Sequence, residues 1–189
     1  MEQQTKQSKR KKVLMDMILI SLFAVLIAVC SWISIPGPVP FTHQTMAVFT
    51  TVLLLGGKRG TITIILYMTL GMIGVPVFAG FSSGFAALFG MTGGYILGFL
   101  FIGLIKWGSE KLFGNSYLVL FLACLVGLIV CYAFGTGWFM VVYARTKEPI
   151  GLWSALMSCV IPFIIPDLAK LGVAILLYNR LHKFIKVYD

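Results

Sequence analysis

Four stretches without a single Asp, Glu, Lys or Arg, residues 17–57, 60–105, 112–144 and 149–166, decide most of what this chain can become. About 20 consecutive apolar residues carry a helix across a bilayer, and these runs are long enough to hold one or two such segments each. They leave only 11% of the 189 residues charged and bring the hydrophobic share to 59%, where a soluble domain has roughly 25% and 45–50%. The chain reads as an all-α integral membrane protein. A basic segment, residues 1–12, precedes a single six-helix membrane domain over 13–189, with no room for a soluble catalytic module.

The formal charge of +9 would suggest nucleic acid in a soluble protein, but its distribution points elsewhere. Cations cluster at residues 6–12, at Lys58 and Arg59, at Lys106 and Lys111, and at Arg180, Lys183 and Lys186. With six helices, the positive-inside rule puts all of these, and both termini, in the cytoplasm and leaves Arg145 and Lys147 outside. Such a surface suits anionic lipid and a cytoplasmic partner. The first apolar run continues to about Ile35 and ends at Pro36-Gly37-Pro38 without a small-x-small cleavage site, so it reads as a retained helix rather than a signal. Cys30, Cys124, Cys131 and Cys159 lie in apolar sequence without metal-ligand spacing, and read as small buried hydrophobes.

Along the chain, helix one is expected over 13–35, a Pro-rich outer loop over 35–41, and a short helix two over 44–55. Gly56-Gly57-Lys58-Arg59-Gly60 reads as a tight cytoplasmic turn. It is not a phosphate loop, because Arg59 stands where Ser or Thr is needed and no Gly lies five residues before Gly57. The 46 residues from Gly60 to Ile105 are too many for one span, and glycines 71, 74, 80, 84, 90, 93 and 94 with Pro76 interrupt their middle. Helix three (61–73), an irregular Gly-rich segment (74–90) and helix four (92–112) fit. Irregular backbone at membrane depth is tolerated where protein buries it or it lines a cavity, so this segment is a candidate pocket wall. Helix five is expected over 117–143 and helix six over 153–185, bent by Pro162 and Pro166.

Asp167 and Lys170, three apart on helix six, share a face. Each costs about 2.5–3.5 kcal/mol at a helix centre on insertion scales, so the pair must face protein, water or each other. It is either a packing salt bridge or the polar part of a substrate site. Phe78, Phe81, Phe85 and Phe89, with Tyr95 beyond, form a stripe that serves packing or a small apolar ligand. Ala24 and Ala28 make a small-xxx-small face for close helix approach, within the bundle or to another subunit. Enzyme motifs are absent; His43 with Asp167 is the one acid–base combination the composition offers.

The segment Gly74-Val75-Pro76-Val77-Phe78-Ala79-Gly80, continuing through Gly84 to Thr92-Gly93-Gly94-Tyr95, resembles the signature of the BioY family, the biotin-binding S components of energy-coupling factor importers. Pro38-Val39-Pro40-Phe41-Thr42 with Gln44, and Asp167-x-x-Lys170, resemble two further blocks in the right order, while Met91 and Ile165-Pro166 depart from the pattern. The resemblance implies a non-enzymatic, six-helix protein of the bacterial plasma membrane that takes biotin from outside as its transported ligand, without a cofactor. It also implies a transmembrane coupling subunit, docked through Ala24 and Ala28, and two cytoplasmic ATPases. A ureido group has two N–H donors and a carbonyl, so Asp167 can accept and Lys170 donate. Phe78 and Tyr95, with the backbone of Ala79, Gly80, Gly84 and Gly94, would enclose the rings, and Gln44 with loop one would cap them. The alternatives are a self-sufficient carrier, with Asp167 as its proton site, and an intramembrane enzyme using His43 and Asp167.

Overall fold

A computed structural model describes residues 2–37, 39–146 and 148–186. Pro38 of the first-loop block and Lys147 of the expected outer pair lie outside the described residues, as do the side chains of Lys6 and Lys186. The chain is nearly all helical, with α1 (Glu2–Trp32), α2 (Gln44–Leu54), α3 (Gly56–Met72), the single short turn α4 (Gly84–Leu88), α5 (Gly93–Phe113), α6 (Tyr117–Thr146), and α7 (Leu152–Cys159) followed by α8 (Ile161–Lys186) where one sixth helix is expected. Among the described residues, three helical stretches are long and apolar enough to cross a membrane: 9–32, 117–145 and 152–184.

Three boundaries differ from expectation. The basic residues 6–12 belong to α1, which is continuous from Glu2, because Lys and Arg are good helix formers and nothing interrupts them before Trp32. Gly57-Lys58-Arg59-Gly60 is not a turn but the start of α3; the chain reverses at Leu55–Gly56, where Gly56 has φ +78°. Gly57 is needed for proximity: a Cβ there would sit 2.2 Å from the Cα of Trp107 on α5. Helix six breaks at Val160 (φ −126°, ψ −56°). Pro162 has no N–H for the Ser158 carbonyl, so the helical ladder is interrupted there, and Pro166 is carried inside α8.

The first loop is a small antiparallel hairpin, Ser34 opposite Thr42 and Ile35 opposite Phe41. α1 buries Phe23, Ala24, Ile27, Ala28 and Ser31 along one stripe, the spacing of a helix with a single inner face. Short α2 is buried over nearly its whole length and forms the centre on which α1, α3 and α8 pack. α5 lies close on both neighbours: Gly98 meets Cys131, Gly127 of α6 meets Ile102, and Gly103 meets Thr61 of α3, each where a Cβ would stand 2.8 Å or less from the facing atom.

One end of the bundle gathers the amino-terminal part of α1, the α2–α3 junction, the end of α5 and the end of α8. Arg59 pairs with Asp16 at 3.0 Å, and the Tyr117 and Tyr178 rings meet edge-on at 6.4 Å. Lys106 is not a loop charge: it is fully buried in α5, pairs with Glu110 and donates to Asn115 Oδ1 at 3.2 Å. The other oxygen of Glu110 accepts the Gly57 N–H at 2.8 Å. An otherwise unbonded donor at the α3 amino terminus is thereby satisfied by a negative charge, the favourable sign at that end of a helix.

Candidate functional site

At the opposite end, the hairpin, the irregular segment 73–92 and helices α2, α5, α6 and α8 enclose a cavity of about 230 Å³. Its irregular wall is held at one end. Trp32 Nε1 donates to Pro76 O (2.8 Å), and Ser31 Oγ and Tyr67 Oη both reach Val77 O. Phe78 packs edge-on against Tyr67 and seats its ring tip on Gly71, where a Cβ would lie 2.0 Å from Phe78 Cζ. Beyond Phe78 the backbone turns sharply, with positive φ at Gly80, Phe81 and Gly84, and Phe81, Phe85 and Phe89 are exposed. The expected aromatic stripe therefore splits, since Phe78 alone of the four phenylalanines faces the cavity.

Asp167 (2% exposed) and Lys170 (8%) form the polar floor. Lys170 Nζ donates to Asp167 Oδ1 (2.8 Å), Thr42 O (2.7 Å) and Thr45 Oγ1 (3.2 Å), which accounts for all three ammonium protons. It also stands 4.2 Å from the centre of the Phe41 ring. Thr45 Oγ1 in turn donates a hydrogen bond to Asp167 Oδ1 (2.9 Å), and Tyr132 Oη donates to Asp167 Oδ2 (2.6 Å). The carboxylate thus receives three donors and keeps one lone pair on Oδ2, by count of its four acceptor positions. Close by, Gln44 Nε2 donates to Tyr67 Oη at 2.9 Å, leaving the second N–H and the oxygen of its carboxamide uncommitted among the described residues. The expected salt bridge is therefore real, and it is also built into a cavity wall.

Of the residues singled out from sequence, Gln44, Phe78, Ala79, Tyr95, Asp167 and Lys170 line this cavity. Gly80, Gly84 and Gly94 do not: the first two shape the irregular wall through positive φ, and Gly94 lets α5 approach Trp138 of α6. Ala24 and Ala28 are buried in the chain's own core, so the close approach they permit is made inside the bundle. His43 is not a partner of Asp167, and its Nδ1 is buried without a hydrogen bond. The acid–base couple an intramembrane enzyme would need is not assembled.

Thr45 and Tyr132 were not singled out from sequence, although both bind Asp167 directly. Tyr132 carries a faint signal, as a polar-tipped ring in the middle of an uncharged run, but the residue it meets lies 35 positions away. Cys131 and Cys159, read as small hydrophobes, are buried and line the cavity as well.

The BioY family profile matches residues 1–187. A protein of Pyrococcus horikoshii named as a probable biotin transporter BioY is 39% identical over 170 residues, covering 88% of this chain and 95% of its own. The biotin transporter BioY of Thermotoga maritima is 38% identical over 173 residues, covering 89% and 96%. Among solved structures, the S component for biotin of an energy-coupling factor transporter superposes with a TM-score of 0.77 at 28% identity, covering 89% of this chain and 90% of that one. Matched over nearly its full length by the family profile and by relatives above 30% identity, the chain belongs to the BioY family.

Proposed function

We propose that this chain is the biotin-capturing subunit of an ATP-driven vitamin importer. One observation carries the reading. The cavity is lined mostly by apolar side chains, and its polar groups include the Asp167 carboxylate, with a single spare lone pair, and the uncommitted Gln44 carboxamide. Biotin has the matching form: an apolar bicycle and chain with a ureido group whose N–H bonds need acceptors. In this reading Asp167 Oδ2 takes one ureido N–H and Gln44 meets the other side of the group. Lys170 holds the Asp167 carboxylate in place through their ion pair and reaches the ureido carbonyl by exchanging its bond to Thr42. Phe78, Ala79 and Tyr95 pack the rings, and Gly80, Gly84 and Gly94 act through the backbone and helix packing that hold those residues in place.

The same reading makes the chain a multi-pass protein of the bacterial plasma membrane with six crossings and cytoplasmic termini. It is supported by the gathering of Lys58, Lys111, Arg180 and Lys183 at the end of the bundle where α1 begins, with Arg145 at the other. The cavity then faces outside. A transmembrane coupling subunit and two ATPases for delivery inward are what the likeness to the biotin S component implies. Ala24 and Ala28 are taken up by internal packing, so the α1 face left for a coupling subunit is the adjoining exposed row Leu22, Val25 and Val29.

Calorimetry on the purified chain tests the ligand. Biotin should bind the native protein and lose most of its affinity in Asp167→Asn and in Lys170→Ala; near-native binding in both variants would sink the assignment. Vesicles containing the chain alone should bind biotin without accumulating it, and uptake by the chain alone would favour a self-sufficient carrier.

A further inference from the structure

A second hollow, of about 660 Å³, lies between α6 and the α7–α8 pair. Its walls include Ile129, Ala133, Gly137, Leu152, Ile164 and Leu168. The break at Val160 brings α7 against α6 while α8 stands off, which leaves a groove instead of a packed seam. Two hydroxyls reach its surface, and both are committed: Tyr132 Oη to Asp167 and Thr136 Oγ1 to Tyr95 Oη. The side chains therefore offer an occupant only apolar contact. Leu128 and Tyr132 belong to this groove and to the ligand cavity alike, so one face of Tyr132 looks into each.

We infer that this groove is a phospholipid acyl-chain site whose occupant backs Tyr132, and through it Asp167. The groove is cut into helices long and apolar enough to cross a membrane. Its rim residues Ile129, Ile164 and Leu168 are exposed and continuous with the outward apolar residues Val126, Ile161 and Ile165. In a bilayer that surface is covered by hydrocarbon tails, and an unfilled hollow would forfeit the dispersion contacts of its lining. A flexible acyl chain, apolar throughout, fits an elongated groove with no uncommitted side-chain donor or acceptor. With the chain in place Tyr132 cannot swing outward, and the hydroxyl that orients Asp167 stays fixed; without it, the ring has room to leave.

Gly137 supplies the test, because it lines the groove and a Cβ added there meets nothing within 4 Å. The full chain is reconstituted in vesicles of phosphatidylglycerol and phosphatidylethanolamine containing a phosphatidylethanolamine with a diazirine in one acyl chain, then irradiated and mapped by peptide mass spectrometry. Adducts are expected on 125–140 and 152–168, falling at least tenfold in Gly137→Phe, with Gly137→Leu as the milder filler. Adducts on the exposed α1 face at Leu22, Val25 and Val29 should not change. Equal groove labelling in the native chain and both fillers overturns the site, as does a native chain that takes adducts on its exposed α1 face but none in the groove.

The link to Tyr132 rests on the biotin reading. Biotin affinity of the native chain should weaken at least fivefold on passing from lipid nanodiscs to delipidated detergent, whereas Gly137→Phe should bind equally in both. Affinity of the native chain that ignores lipid overturns the link. Absence of biotin binding in either medium would be a failure of the functional reading instead, and the crosslinking, which uses no biotin, still decides the groove.

Discussion

Lys170 Nζ and Asp167 Oδ1 stand 2.8 Å apart, one turn from each other on α8, and share Thr45 Oγ1 as a common partner that accepts from the lysine and donates to the aspartate. The two charges neutralise each other inside a wall, and their hydrogen-bond partners come from the hairpin, α2 and α6 as well as α8. A buried pair of this kind is costly to break from one side, about 3–5 kcal/mol when one partner is removed.

Single replacements should therefore be worse than a double one. Asp167→Asn or Lys170→Met should each lower the melting temperature of the purified protein and weaken biotin binding by about 100-fold or more, since 1.4 kcal/mol is tenfold in affinity. The double variant should recover stability relative to either single one while remaining unable to bind. A double-mutant cycle on melting, run beside calorimetry, separates the packing share of the pair from its ligand share.

Tyr132→Phe removes one donor from the carboxylate and almost no volume. Hydrogen bonds to charged groups are worth about 1.5–3 kcal/mol, and the remaining ring still fills its place. Biotin affinity should fall about tenfold and the melting temperature by several degrees, since 1 kcal/mol is worth roughly 2–4 °C in a chain of this size. An unchanged dissociation constant would mean that Thr45 and Lys170 orient Asp167 without help.

Gly71→Ala places a methyl where the tip of Phe78 now rests. Overpacking of this kind costs about 1–3 kcal/mol, and it should push Phe78 toward the ligand, reducing both stability and affinity. Adding Phe78→Leu should restore the melting temperature but not the affinity, because the shorter side chain fits above alanine yet no longer covers the ring site.

Glu110→Gln strips the countercharge from fully buried Lys106. The expected loss is about 3–5 kcal/mol, read as a lower melting temperature, with biotin affinity unchanged in the folded fraction because the pair lies at the far end of the bundle. Lys106→Met added to it should recover much of the loss.

The parts of this structure legible in the sequence are those set by local composition. Absence of charge located the helices, and the glycines between Gly71 and Gly94 marked the irregular wall. The three-residue spacing of Asp167 and Lys170 put them on one face. What stayed hidden depends on partners distant in sequence. Nothing near Gly57 says that Trp107 will lie against it, which is why a helical start looked like a loop. Prolines 162 and 166 showed that helix six is disturbed, but the ladder gave way at Val160, where α7 could still pack on α6. Ala24 and Ala28 have the same small side chains whether they meet α2 and α3 or a second subunit, and only burial separates the cases. Thr45 and Tyr132 are ordinary residues for their helices until α8 brings Asp167 between them.

The close glycine contacts on α5 give the molecule two mechanically different halves. Where Gly98 meets Cys131, Gly127 meets Ile102, Gly103 meets Thr61 and Gly57 meets Trp107, the helices approach so closely that a Cβ would not fit. Helices α3, α5 and α6 thus form one closely packed plate. α8 packs on α2, is fastened at the cavity by exchangeable hydrogen bonds and is jointed to α7 at Val160. Whatever strain accompanies loading and release of cargo should collect on that jointed side, with the plate as the fixed reference.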